Sequence, residues 1–247
     1  MSEIYIYTFV SVLIVSAASL VGVVLLGFNQ DFLHRILSFL IAFSAGALLG
    51  DVFIHIIPEM AKTEFTATTG IYFLIGIIVF FLLEKYIHWY HGYGEHEESV
   101  HASTYLTIFG DALHNFIDGI IIAISFLVSI PLGIATTAAV LFHEIPQELG
   151  QFGILVHGGW SRSKALFYNF LSALTAIIGA AFVLIFAQGL GEVPTYLLAF
   201  AGASFIYIAM SDIIPELHKE KDLPKSIIQV IAFIFGVVVM AALLLLG

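Results

Sequence analysis

Residues 133–156 read GIATTAAVLFHEIPQELGQFGILV, an apolar run that is interrupted by the polar segment HEIPQELGQF at 143–152. The run is long enough to cross about 30 Å of hydrocarbon as a helix, because a helix rises about 1.5 Å per residue. Ionisable side chains in the middle of such a span cost about 2.5–3.5 kcal/mol each, so they need a partner or a function. The segment therefore predicts a membrane-spanning helix with a polar site at its centre.

The composition of the whole chain also indicates a membrane protein. Its 247 residues are 60% hydrophobic and 11% charged, whereas soluble domains carry about 25% charged residues. A soluble chain of this length could not bury so much apolar surface in one core. The lack of cysteine excludes disulfides and thiolate metal sites. The sequence contains neither a basic patch that would indicate binding to nucleic acid nor a phosphate-binding loop that would indicate ATP as a partner.

Eight apolar runs follow one another along the chain, separated by polar or Gly/Pro-containing segments. The first run follows an acidic N-terminus, so we expect it to be a retained span and not a signal peptide. We predict an all-α, polytopic membrane protein, folded as a single transmembrane domain over residues 1–247. The predicted spans are 5–26, 36–58, 70–90, 105–128, 133–156, 165–188, 195–214 and 226–246.

The basic residues predict the orientation of the spans. If the N-terminus is outside the cytoplasm, one basic residue, Lys62, lies outside and seven lie inside. Loops on the cytoplasmic side carry an excess of Lys and Arg, so we predict that both termini are non-cytoplasmic and that the protein is integral to the cell membrane. The seven inside residues are Arg35, Lys85, Arg162, Lys164, Lys219, Lys221 and Lys225.

Two pairs of short motifs suggest an internal repeat. AFSAGA at 42–47 leads to IIPE at 56–59 in the second span, and AFAGA at 199–203 leads to IIPE at 213–216 in the seventh. The two spans cross in opposite directions, as inverted repeats require. We predict a 3+2+3 arrangement, in which spans one to three and six to eight are inverted copies around a central pair. Coincidence is the alternative, because small-residue packing motifs are common in membrane helices.

The fourth span carries a polar face in the segment GDALHNFIDG at 110–119. His114, Asn115 and Asp118 lie within one helical turn, and Asp111 lies one turn earlier. Residues spaced by three, four and seven positions share one face of a helix. An imidazole, a carboxamide and carboxylates therefore meet near the middle of this span.

The fifth span carries a second polar face. His143 and Gln147 are four residues apart, Glu144 and Glu148 are also four apart, and Gln151 continues the stripe. The two spans are joined by a short loop, so they are expected to be antiparallel neighbours whose polar faces lie at the same depth. Imidazole and carboxylate ligands suit Zn²⁺, and also Fe²⁺ or Mn²⁺. The alternative is that these groups only hydrogen-bond one another and hold the helices together.

Further polar residues are candidates for an ion pathway. Asp51 and His55 share one face of the second span, and Asp212 lies in the seventh. The alternative for each is a hydrogen bond between helices. The segment at about 91–104 is rich in histidine and is predicted to be a cytoplasmic loop, where such tracts can bind metal loosely.

The segments HNFIDG and HEIPQE, separated by about 29 residues within eight spans, resemble the ZIP family of divalent-metal transporters. GDALHNFIDG, HEIPQELGQF and GALLGDVFIHIIPE are similar to the branch that contains the animal zinc importers. The resemblance implies transport of Zn²⁺, or Fe²⁺ or Mn²⁺, into the cytoplasm by alternating access, with the bilayer and the ion as partners, no catalytic cofactor and no nucleic acid. It also implies a homodimer.

The resemblance implies a two-metal centre between the fourth and fifth spans. One ion would bind His114, Asp118, His143 and Gln147, and a second would bind Asn115, Glu144 and a shared Asp118. Asp51, His55, Asp111, Glu148, Gln151 and Asp212 would lie along the pathway. Gln147 and Gln151 stand where relatives commonly carry stronger ligands, so we expect one well-formed site and one weak or empty site.

A membrane-embedded zinc hydrolase is the alternative from another functional class. A zinc protease helix needs two histidines four residues apart with a glutamate between them. HEIPQ places Gln147 where the second histidine should stand. We therefore predict a transporter and not an enzyme.

Overall fold

The computed structural model of the chain is almost entirely helical over the residues that it describes. The backbone is described over 2–21, 30–62, 66–91, 99–157, 159–186 and 195–246. The side chains are described over 3–21, 36–62, 66–86, 108–156, 159–186 and 195–245.

The described residues form eight helices, which we number α1 to α8. The first four are α1 (Ser2–Ala18), α2 (Gln30–Gly50, continued by Asp51–Ile56 and Ile57–Ala61), α3 (Ala67–His91) and α4 (Ser99–Val128). The last four are α5 (Ile130–His157), α6 (Arg162–Ala173 and Thr175–Phe186), α7 (Thr195–Tyr207, continued by Ile208–Ile213 and Ile214–Leu217) and α8 (Leu223–Leu243).

Six of these helices are long and apolar enough to cross a membrane, which confirms the all-α, polytopic membrane class. They are α2, α3, α4, α6, α7 and α8. The apolar part of α1 is shorter, over Glu3–Ala18. Helix α5 has 28 residues, but its polar central segment lowers its hydropathy below that of the other spans. The count of eight transmembrane helices therefore stays a prediction.

Helix α4 begins earlier than predicted. It starts at Ser99, so the end of the predicted cytoplasmic loop at 91–104 is helical, while the apolar span begins at Ile108. Its first turns contain polar residues such as Ser, His and Thr, and the prediction began only where the apolar run begins. The middle of the histidine-rich segment, 92–98, and the side chains of its histidines lie outside the described residues.

The polar helix α5 lies at the centre of the bundle. It packs against α1, α2, α4, α6 and α8. Helices α3 and α8 instead expose apolar side chains along much of their length, including Leu74, Phe81 and Ile231. Apolar exposure of this kind fits a helix that faces lipid, whereas the costly polar residues of α5 are enclosed by other helices.

A close crossing of α4 and α6 fixes the polar face of α4. A Cβ atom added to Gly119 would lie 1.9 Å from the carbonyl oxygen of Ala176, and one added to Gly179 would lie 1.9 Å from that of Phe116. Glycine at these two positions lets the backbones touch, as small residues do between membrane helices. The face that carries His114 is therefore held against α5 on one side and α6 on the other.

Helices α2 and α7 share an unusual local feature. Each contains a π-helical segment, Asp51–Ile56 and Ile208–Ile213, directly before a proline at 58 or 215. The amide of Ile57 donates to the carbonyl of Val52, five residues earlier. Proline lacks an N–H group and disturbs the regular helix, and the wider turn accommodates it.

The helices pack in pairs that the predicted inverted repeat would interchange. Helix α2 packs on α8 as α7 packs on α3, and α1 packs on α5 as α6 packs on α4. Exchanging α1 with α6, α2 with α7, α3 with α8 and α4 with α5 converts each pair into the other. This pairing supports the 3+2+3 arrangement, which stays a prediction.

Candidate metal centre

Four side chains of α4 and α5 converge on one point. We call His114, Asp118, His143 and Glu144 the four-residue cluster, because one nitrogen or oxygen atom of each lies within 4.8 Å of the others. His114 and Asp118 are one turn apart on α4, and His143 and Glu144 are consecutive on α5. Each helix therefore supplies two candidate ligands, and the helical period places those of α4 on one face.

Five of the six distances within the four-residue cluster are close to those of tetrahedral coordination. His114 Nε2 lies 3.4 Å from Asp118 Oδ2 and 3.3 Å from Glu144 Oε1. His143 Nε2 lies 3.2 Å from Asp118 Oδ2 and 3.5 Å from Glu144 Oε1. The two Nε2 atoms lie 3.1 Å apart. Ligand atoms at about 2.0–2.1 Å from a tetrahedral Zn²⁺ are about 3.3–3.4 Å apart, so the cluster fits this ion.

The cluster is buried, and its carboxylates lack hydrogen-bond donors. Asp118 and Glu144 are fully buried, and neither oxygen of either side chain accepts a hydrogen bond among the described residues. His143 is also buried, while the side chain of His114 is 23% exposed. Buried, unsatisfied carboxylates are strongly unfavourable. A bound divalent cation would satisfy them, and His114 offers the accessible side.

The backbone of α5 sets the orientation of His143. Its Nδ1 atom lies 3.3 Å from the carbonyl oxygen of Ala139. A carbonyl can only accept, so Nδ1 carries the proton and Nε2 presents a lone pair to the cluster. Metal-binding histidines commonly donate their second N–H in this way, which fixes the ring and its tautomer.

A second polar group adjoins the cluster, toward the start of α4 and the end of α5. The Asn115 side-chain amide donates to the Asp111 carbonyl at 3.2 Å. Gln147 is half-buried, and its described polar neighbour is the Asp111 carboxylate. Glu148 and Gln151 are buried. The structure thus brings Asn115 and Gln147 beside the cluster, and their role as metal ligands stays a prediction.

Helix α6 contributes two residues that the sequence reading missed. Ser172 donates to Asp111 Oδ2 at 2.5 Å, and Asn169 donates to the backbone carbonyl of Glu148 at 3.4 Å. Both side chains are buried. Their signal in the sequence was a pair of polar residues three positions apart in the apolar run of α6, which places them on one face.

Asp51 and His55 of α2 lie apart from the cluster. Asp51 is buried and accepts a hydrogen bond from the Thr136 hydroxyl at 2.9 Å. His55 Nε2 lies 2.9 Å from the carbonyl oxygen of Met240. His55 also lines a cavity of about 310 Å³ with Glu59 and other residues where α2, α5 and α8 meet.

Another cavity reaches the cluster from the opposite end. Its volume is about 200 Å³, and its wall includes His114, Glu84, Tyr207 and Asp212. The Tyr207 hydroxyl donates to the Glu84 carboxylate and so joins α7 to α3. Asp212 thus lines a cavity together with His114, and its role in an ion pathway stays a prediction. Glu84 was missed because it stands near the end of its span, where a charged residue is unremarkable.

Comparison with known proteins identifies the family. The family model described as "ZIP Zinc transporter" matches residues 2–104 and 93–244. "Zinc transporter ZIP13" of Pongo abelii is 33% identical over 216 residues, which are 81% of this chain and 65% of that protein. "Zinc transporter ZIP13" of Danio rerio is 30% identical over 83% of this chain and 75% of that protein.

A third relative matches a shorter region more strongly. "Zinc transporter foi" of Drosophila melanogaster is 38% identical over 144 residues, which are 58% of this chain and 20% of that protein. The chain thus spans about two thirds to three quarters of the ZIP13 proteins and a fifth of this longer one. These relatives are transporters, so the comparisons do not support a membrane-embedded hydrolase. The family match covers nearly the whole sequence, and this chain therefore belongs to the ZIP family of zinc transporters.

Proposed function

We propose that this protein carries Zn²⁺ across a membrane and binds it midway at His114, Asp118, His143 and Glu144. The observation that supports this most directly is the near-tetrahedral spacing of the four ligand atoms, 3.1–3.5 Å for the five measured pairs. Two imidazoles and two carboxylates form a neutral complex with a divalent ion. Fe²⁺ and Mn²⁺ accept similar ligands and are the competing substrates to compare.

We further propose that the protein lies in the cell (cytoplasmic) membrane and transports the ion toward the cytoplasm, with both termini non-cytoplasmic. The excess of basic residues in the loops of one side supports this orientation. In this orientation, the cavity lined by Glu84, His114, Tyr207 and Asp212 opens toward the cytoplasm. The cavity beside His55 opens toward the outside.

Alternating access is the mechanism that these two cavities support. His114 lines the inner cavity, whereas Asp118 and Glu144 are fully buried. Toward the outside, the fully buried Ile121 and Ile122 follow directly on α4. An ion in the cluster would therefore be released inward past His114, and a rearrangement of the helices would be needed to admit one from outside. Residues 1–247 would act as one transmembrane transporter domain.

Each residue of the cluster has a separate task in this mechanism. Zn²⁺ must lose water to enter a site with four protein ligands. Asp118 and Glu144 supply the negative charge that offsets this loss, because they are fully buried beside the two imidazoles. His143 is held rigidly by the Ala139 carbonyl, and His114 faces the cavity and is the ligand best placed to exchange for water.

Uptake of Zn²⁺ into vesicles that contain the purified protein tests the proposal. The double variant His114→Ala/His143→Ala should lose uptake, because half of the ligands are gone. His218→Ala is the matched control, since His218 is exposed beyond the end of α7, and it should transport like the wild type. Equal uptake by the wild type and the double variant would refute the proposal. The mass of the protein in nanodiscs tests the homodimer that the family resemblance implies.

A further inference from the structure

The turn between α5 and α6 carries a tryptophan and two basic residues within the sequence WSRSK at 160–164. We call Trp160, Arg162 and Lys164 the interfacial turn. The apolar span of α6 begins at Arg162, so these side chains lie where the hydrocarbon of the membrane begins. Tryptophan and tyrosine are enriched at this boundary. In the proposed orientation, the interfacial turn faces the cytoplasm.

The backbone holds the interfacial turn in a defined conformation. The amide of Trp160 donates to the carbonyl of Leu155 at 3.1 Å, and Gly159 between them has a φ of 87°. This arrangement is a common helix end, in which a left-handed glycine lets the next residue pack back on the helix. Trp160 is accordingly buried in one apolar cluster with Leu155. Ser161 then caps α6 by accepting a hydrogen bond from the Lys164 amide at 3.3 Å.

Aromatic rings position the Lys164 ammonium group. Its Nζ atom lies 4.0 Å from the centroid of the Trp160 ring and 5.9 Å from that of the Tyr168 ring. The two rings pack against each other with their centroids 5.0 Å apart. A cation over an aromatic face is attracted by the ring but keeps its charge. The ammonium group is therefore held at the boundary beside Arg162, which is exposed.

The charge of the interfacial turn is not balanced by nearby residues in the sequence. The chain contains no Asp or Glu from 149 to 191, and Arg162 forms no ion pair with the residues that the structure describes. The loop between α7 and α8 differs, because Lys219 there pairs with Glu216 at 2.5 Å. The interfacial turn is therefore a positive patch at the membrane surface.

Exposed apolar side chains continue from this patch along the membrane-spanning part of the helices. Ile154 near the end of α5 is 53% exposed, and Phe167 and Leu171 on α6 are 62% and 48% exposed. Phe167 and Leu171 are one turn apart and share a face of α6. A phospholipid has the same two parts, a phosphate headgroup above apolar acyl chains. The charge and the apolar surface therefore complement an anionic phospholipid.

We propose that the interfacial turn binds the headgroup of an anionic phospholipid in the cytoplasmic leaflet. Arg162 and Lys164 contact the phosphate, and Phe167 and Leu171 contact the acyl chains. A guanidinium group donates two parallel hydrogen bonds to phosphate oxygens. Each basic residue near an anionic membrane surface also adds to the attraction, so the site prefers phosphatidylglycerol to phosphatidylcholine, which has no net charge. This inference goes beyond the proposed function and does not depend on which ion is transported.

Fluorescence quenching by brominated lipids tests the site in the full chain. The sequence contains two tryptophans, so Trp89→Phe leaves Trp160 as the single reporter at the interfacial turn. The protein is reconstituted into phosphatidylcholine vesicles that contain either brominated phosphatidylglycerol or brominated phosphatidylcholine. Brominated phosphatidylglycerol should quench Trp160 at a mole fraction about ten-fold lower, because two basic residues favour the anionic headgroup.

Charge variants in the same Trp89→Phe background make the test specific. Arg162→Gln/Lys164→Gln should abolish the preference for phosphatidylglycerol. Lys219→Gln/Lys221→Gln is the matched control, since it removes two positive charges from the same side of the membrane, and it should keep the preference. Ser163→Lys adds a third positive charge at an exposed position and should strengthen the preference, which guards against misfolding of the first variant.

Three results would overturn the lipid site. They are equal quenching by the two brominated lipids in the Trp89→Phe protein, an unchanged preference in Arg162→Gln/Lys164→Gln, and an unchanged preference in Ser163→Lys. Loss of the preference on addition of millimolar inorganic phosphate would mean that the interfacial turn binds free phosphate and would also overturn the lipid assignment.

Discussion

The Nε2 atoms of His114 and His143 lie 3.1 Å apart, although the residues are 29 positions apart and belong to different helices. The proton of His143 is held at Nδ1 by the Ala139 carbonyl, so its Nε2 faces His114 as an acceptor. A proton on His114 can bridge the two nitrogens, and so can a metal ion. Asp118 and Glu144 each lie 3.2–3.5 Å from these two nitrogens, so a metal ion at this point would be a partner for all four groups.

Replacement of Asp118 should weaken zinc binding far more than replacement of Gln147. Asp118→Asn removes a charge from the four converging atoms and should lower the affinity by at least about ten-fold. Gln147→Ala should keep an affinity close to that of the wild type, because Gln147 lies beside Asp111. Titration of the purified protein with Zn²⁺ measures both. A large loss for Gln147→Ala would mean that Gln147 is a ligand, as the family resemblance implies.

The α4–α6 crossing should not tolerate a larger residue at Gly119. Gly119→Ala places a methyl group 1.9 Å from the Ala176 carbonyl oxygen, and overpacking of this kind typically costs about 1–3 kcal/mol. Gly153→Ala is the matched control, because a Cβ there meets nothing within 4 Å. The free energy of unfolding in mixed detergent measures the difference. Similar losses in both variants would argue against a tight crossing.

The Asp51–Thr136 hydrogen bond should couple α2 to α5. Thr136→Val keeps the shape of the side chain but leaves both oxygens of Asp51 without a partner, which should cost about 1–3 kcal/mol. Asp51→Asn should lose much less, because a neutral amide is cheaper to bury. In the double variant the two effects should be non-additive. Strict additivity in the free energies of unfolding would show that the two side chains do not interact.

Glu84 should assist release of the ion into the inner cavity. It lines that cavity with His114 and Asp212, and negative groups on a cleft wall raise the local concentration of cations and the rates of their passage by about ten-fold or more. Glu84→Gln should therefore slow zinc uptake by about ten-fold. Tyr207→Phe removes the hydrogen bond but keeps the charge, so it should retain most of the uptake.

Two controls make the Glu84 prediction specific. Glu3→Gln removes an exposed acidic residue from the first turn of α1 and should not affect uptake. Zinc affinity at equilibrium should be the same in Glu84→Gln and the wild type, because Glu84 is not one of the cluster residues. A rate equal to that of the wild type would exclude Glu84 from the pathway.

The membrane class and the residues of the four-residue cluster stand out in the sequence for a physical reason, although the family resemblance assigned Glu144 to a second ion. Hydrocarbon makes every ionisable residue of a span costly, so His114, Asp118, His143 and Glu144 stand out against apolar neighbours. The helical period then places His114 and Asp118 on one face without knowledge of the fold, whereas the convergence of the consecutive residues His143 and Glu144 depends on the packing. The short connection between α4 and α5 brings those faces to the same depth.

Contacts between helices that are distant in sequence were decided only by the tertiary structure. Ser172 reaches the Asp111 carboxylate, and Asn169 reaches the Glu148 backbone carbonyl, because α6 crosses α4 at Gly119 and Gly179. The position of a side chain along its own helix also does not show which of two neighbouring residues it contacts. Gln147 shares a face with His143 yet lies against Asp111.

The two outlying pathway candidates illustrate the same limit. Asp51 and His55 have the spacing of a polar face, but they pair with Thr136 of α5 and Met240 of α8. The period of a helix fixes the direction of a side chain relative to its own axis. The partner that it meets depends on the rotation and crossing angle of the neighbouring helix, which side-chain packing sets in three dimensions.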